Sequence, residues 1–100
     1  MIFYFIMNRI LIEFYMMTDK LAAARAKIDL LDRRIAALLA RRFALAVSLK
    51  GLKKTVTDRA REKRVLANAR RAVGMKSYAA GAGAVFSEII KQSKKLQVAK

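Results

Sequence analysis

The chain has 100 residues, 56% of them apolar, and a formal net charge of +15 from 22 basic and seven acidic residues. That length holds one small domain. With no cysteine and no histidine, a disulfide framework, thiolate chemistry, a zinc site and a histidine-based triad are excluded, which leaves Arg, Lys, Asp, Glu, Ser, Gln and the backbone.

Residues 1–17 (MIFYFIMNRILIEFYMM) are rich in Phe, Tyr, Ile and Met, with Arg9 and Glu13 as their charges. The stretch is shorter than a membrane span and carries its charges in the middle. It also lacks the leading positive charge, uninterrupted apolar core and small-residue cleavage site of a secretory signal. It is read as an N-terminal apolar extension, poorly ordered or preceding a functional start at Met16 or Met17, with the folded helical domain over 18–100. No membrane partner is expected, and the chain is placed in the cytoplasm.

Helix 1 is predicted over about 19–53, capped by Thr18 or Asp19, supported by an Asp29–Arg33 pair and weakened at its end by Gly51. Its apolar seam runs Leu21, Ala24, Ile28, Leu31, Ile35, Leu38, then Leu45, Leu49 and Leu52, with Arg42 where a leucine belongs. That three-and-four spacing suits a helix packed lengthwise against other helices. A guanidinium stays charged, so Arg42 needs a carboxylate of the protein, a path to water or an anionic ligand. At 1.5 Å per residue the helix would be roughly 50 Å long, too long to bury its seam against the rest of one chain. A second copy is the economical solution.

Residues 54–57 form a short connection, and helix 2 follows over about 58–73, with Asp58 and Glu62 near its positive end and Gly74 as its stop. The stretch 75–83 reads as a loose connection. Helix 3 covers about 84–98 with the stripe Phe86, Ile90, Ser93, Gln97. The fold class is therefore all-α, a three-helix protomer with a long first helix.

Arg42 and Lys53 are eleven residues apart and share a face of helix 1, whereas Arg25 lies about 25 Å from Arg42 along the axis. One straight helix cannot deliver both to one small ligand; an antiparallel partner helix would supply Arg25, which by itself also reads as a solvated cation at the edge of the seam. Asp58, Arg61 and Glu62 face one way at i, i+3, i+4, a pattern that an ordinary salt-bridged first turn also gives. Ser93 and Gln97 stand where Ile or Leu would continue the stripe, as they also would at a tapering helix end.

Taken together, LAAARAKIDLLDRRIAALLARR, LKK, DRAREKRVL and FSEIIKQSKKLQ, with the ordered motifs RxxIDxLD, LLxxR, DxxRE and SxxxQ, resemble the all-helical AroQ class of chorismate mutases over residues 18–98. The resemblance implies an intertwined helical homodimer. It also implies a site with Arg25 from the partner and Arg42, Lys53, Asp58, Arg61, Glu62, Ser93 and Gln97 from one protomer. Chorismate would rearrange to prephenate by a unimolecular pericyclic step that needs no nucleophile, metal or cofactor. In that scheme Arg25 and Arg42 clamp the two carboxylates and Lys53 and Gln97 donate to the ether oxygen. Asp58 and Glu62 hold the ring hydroxyl, while Arg61 and Ser93 support carboxylate placement.

Two departures from the family pattern bear on geometry. The short Lys53–Asp58 connection is expected to unwind helix 1 around Gly51, or to change its contacts, and to displace Lys53; a weak mutase needing a partner enzyme would suit it. The stretch Ala79–Gly83 is poor in apolar anchors, so helix 3 is expected to start late.

The nearest enzymatic alternative is an isochorismate-pyruvate lyase on the same scaffold; Glu62 and the complete DxxRE turn favour the mutase. A basic helical nucleic-acid-binding protein fits the charge. Against it, Phe43, Tyr78 and Phe86 are the aromatics beyond residue 17, too few for a stacking platform, and the basic residues are spread over three helices.

Overall fold

From Ile2 to Ser48 no proline or glycine interrupts the chain, and a single helix, α1 (Ile2–Ser48), occupies the whole stretch in the computed structural model, which describes residues 2–52 and 55–99. The predicted start at Asp19 is therefore corrected to Ile2. Thr18 does not cap: its hydroxyl donates to the carbonyls of Phe14 and Tyr15 at 3.2 and 2.8 Å, a bond a threonine makes inside a helix. The Asp29–Arg33 pair does not form either. Among the described residues the ion pairs are Arg9–Glu13 and Lys94–Glu62, as the small worth of an exposed i,i+4 pair allows.

The helix ends at Ser48, before the predicted Lys53. Leu49, Lys50 and Leu52 donate their amides three residues back, to Ala46, Val47 and Leu49, at 3.0–3.1 Å. Gly51 then takes φ +86°, a left-handed conformation that a glycine enters without steric penalty. The unwinding expected around Gly51 is what occurs.

Helix α2 (Arg59–Ala72) matches its prediction closely. Asp58 is the N-cap, extended at φ −129°, ψ 95°, and its carboxylate accepts the Arg61 amide at 3.0 Å. Val73 is the C-cap, and Gly74 at φ +73° terminates the helix. Helix α3 (Lys76–Val98) starts eight residues before the predicted Ala84. Residues 75–83, read as a loose connection, are mostly helix. The alanines there are strong helix formers, and the small residues let α2 come close. Gly83 is buried, and a Cβ built on it would fall 2.7 Å from Arg70 Nε. With Arg70 beside Gly83 and Glu62 beside Lys94, α2 and α3 form an antiparallel hairpin joined by a short turn.

The chain divides into two units, Met1–Leu39 and Ala40–Lys100. In the first, every described residue up to Leu38 is exposed, including Leu21, Ile28, Leu31 and, at 60%, Ile35. In the second, the end of α1 is tied to α3 by side chains. Gln97 Nε2 donates to the Ala46 carbonyl at 2.9 Å, and the Lys50 ammonium meets the carbonyl of Ala99. The buried positions there are small or polar (Ala46, Ala69, Gly83, Ser93, Gln97), and among the described residues no large side chain is fully buried. No described helix is long and apolar enough to cross a membrane.

Candidate active site

The last turns of α1, the first turns of α2 and the C-terminal half of α3 enclose a cavity of about 340 Å³ within the Ala40–Lys100 unit. Arg42, Asp58, Arg61, Glu62, Ser93 and Gln97 all line it. These are six of the eight residues singled out from the sequence. Lys53 lies outside the described residues. Arg25 is exposed in the Met1–Leu39 unit and is not among the lining residues.

Arg42 breaks the leucine seam and is half-buried. Its Nη1 donates to Ser93 Oγ at 3.0 Å, and the same hydroxyl donates to the Ile89 carbonyl at 2.7 Å. The serine thus holds the guanidinium at the cavity wall by a relay that ends on the α3 backbone. Among the described residues Arg42 has no carboxylate partner, and neither has Arg61. A charged group half-removed from water and paired with a neutral hydroxyl leaves most of its electrostatic demand unmet. Of the fates open to Arg42 in the sequence, pairing with a described carboxylate does not occur.

Asp58 enters through its capping role: its carboxylate holds the Arg61 amide, and its carbonyl accepts the Glu62 amide at 2.9 Å. The two residues it fixes both face the cavity. The salt-bridged first turn that this spacing also suggested is absent, because Glu62 pairs across to α3, with Lys94. Glu62 Oε1 is out of contact with solvent and is covered by the Lys94 ammonium. Gln97, buried on α3, presents its carboxamide between the α1 backbone and the cavity.

Lys94 was not singled out from the sequence. Its signal is present, since it lies four residues after Ile90 and three before Gln97 and so shares their face. The apolar walls are Leu45, Val56, Val65 and Ile90. Arg42, Arg61 and Lys94 beside Asp58 and Glu62 make three cations and two carboxylates in the lining. Such a lining suits a small, multiply anionic molecule that also carries an apolar ring and a hydroxyl donor. No three His, Cys, Asp or Glu residues cluster as metal ligands among the described residues.

The family model of chorismate mutase type II matches residues 24–98. No curated protein and no solved structure matches the chain. The match takes in the whole of α2 and α3 and every lining residue of the cavity. On that coverage the chain belongs to the chorismate mutase type II family, and it is an isomerase that converts chorismate to prephenate.

Proposed function

We propose that the cavity of the Ala40–Lys100 unit is the chorismate site, and that it is completed by a second copy of the chain in an intertwined homodimer. The observation that carries this reading is the convergence of Arg42, Asp58, Arg61, Glu62, Ser93 and Gln97 on one cavity, with Arg42 and Arg61 free of carboxylate partners among the described residues. In the rearrangement the ether C–O bond breaks as a C–C bond forms, within one molecule. Catalysis then consists of holding a compact chair-like conformer and meeting the charge that develops on the ether oxygen.

Arg42 binds one carboxylate and Arg25 of the second copy the other, with Arg61 and Ser93 supporting their placement. Glu62 accepts the ring hydroxyl, and Asp58 adds its backbone there while fixing the start of α2. Gln97 and Lys53 donate to the ether oxygen. The apolar residues left exposed on α1, Leu31, Ile35, Leu38 and Leu45 among them, support the dimer, since a lengthwise seam of this spacing packs against another helix. The product leads toward phenylalanine and tyrosine, and the enzyme acts in the cytoplasm.

The test is the loss of chorismate absorbance on adding purified protein without metal or cofactor. Conversion to prephenate is expected. A folded protein that leaves chorismate unchanged overturns the reading, and release of pyruvate from isochorismate in its place assigns the lyase alternative.

A further inference from the structure

Lys94 stands between two cavities. It lines the site described above and also a smaller one of about 230 Å³ between α2 and α3, bordered by Leu66, Ser87, Ile90 and Lys91. Glu62 is the other charged residue common to both linings, so the Lys94–Glu62 ion pair forms a shared wall. Both side chains are largely withdrawn from solvent, Lys94 retaining 32% of its exposure and Glu62 24%. Without a counter-charge a carboxylate oxygen that is out of contact with solvent would turn toward water. Among the described residues Lys94 is its only ionic partner.

We infer that Lys94 is a positioning residue, which holds the Glu62 carboxylate at the cavity wall with an acceptor oxygen ready for the substrate hydroxyl. This rests on the proposed function of the same site. The Lys94 ammonium occupies Glu62 Oε1, and among the described residues no donor meets Oε2, so the carboxylate keeps one oxygen as an acceptor. A hydroxyl donor that reaches Oε2 then gains a charge-assisted hydrogen bond without displacing Lys94 from Oε1. Lys94 acts through Glu62 and touches no reacting atom.

The experiment is a double-mutant cycle on the full chain with K94M, K94R, E62Q and the K94M/E62Q pair, following chorismate loss and thermal unfolding for each. K94M is expected to lower kcat/KM about tenfold, as loss of one hydrogen bond to a charged group does, chiefly through a raised KM because the hydroxyl is gripped in ground and transition states alike. K94R should stay within about threefold of the parent, since the charge is kept. In the E62Q background the further change K94M should cost less than about twofold, the mark of residues acting as one unit.

A merely structural lysine would lower Tm and the fraction of active protein while leaving KM unchanged, and that result overturns the inference. Additive losses in the cycle also overturn it, because Lys94 would then act independently of Glu62. Should K94M fail to fold, K94Q and K94R carry the same comparison. A parent protein inactive on chorismate removes the functional reading and this inference together, whereas an active parent with K94M kinetically unchanged removes the inference alone.

Discussion

Arg42 and Gln97 occupy positions where an apolar side chain would pack at lower cost; Arg42 donates to Ser93 and Gln97 to the Ala46 carbonyl. Arg42→Ala removes a cation that the fold satisfies only with a hydroxyl. It is expected to lower kcat/KM by at least about a hundredfold, the scale of losing one charge-stabilising donor, with little change in Tm; steady-state kinetics beside a thermal melt check both. Gln97→Leu removes a buried donor from a carbonyl that also accepts the Leu49 amide, so its stability cost is moderate, about 1 kcal/mol in urea unfolding. Asp58→Ala loses the cap of α2, and a loss of about 1 kcal/mol is expected. Asp58→Asn, which still accepts the Arg61 amide, should restore most of it.

At the level of elements, α2 and the C-terminal end of α3 were legible, and the ends of α1 and the start of α3 were not. Helix α2 carries its own signals: an acidic cap residue, an acidic residue in the first turn and a glycine at the left-handed stop. Those signals act within a few residues, so they are readable without the fold. The start of α3 is different. Its two glycines suggested a loop, but the Gly83 surface lies against Arg70 of α2, a contact between residues 13 apart in the chain. Gly81 has no such neighbour: nothing lies within 4 Å of a Cβ built there, and its φ is not positive. Gly81→Ala should therefore stabilise by about 0.5–1 kcal/mol, read as a raised midpoint in urea. Gly83→Ala should gain less or lose, since the guanidinium of Arg70 must move aside.

For the molecule as a whole, the exposed seam of α1 and the absence of Arg25 from the cavity lining pose the same question. The proposed homodimer answers both, and it has a test that needs no structure. Arg25→Ala and Arg42→Ala should each abolish activity alone. If each site takes Arg42 from one chain and Arg25 from the other, a mixed dimer of the two variants contains one intact site. Random exchange then recovers about a quarter of the parent activity, since half the dimers are mixed and one site in two is whole. No recovery after unfolding and refolding the mixture together removes the shared site, and a monomer in sedimentation removes the dimer.

By itself the sequence determined the helical class, the absence of histidine and cysteine chemistry, and the polar residues Arg42, Ser93 and Gln97 that interrupt apolar stripes, because composition, periodicity and capping are local properties. It also carried the family, through motifs spaced along three helices. Only the tertiary structure decided which of those residues meet. It joined Arg42 to Ser93 instead of to a carboxylate, turned Glu62 from its own helix toward Lys94, and laid Arg70 over Gly83 within the helix that begins at Lys76. Each depends on two helices approaching at a particular register, and a register between helices is set by packing that no local pattern encodes.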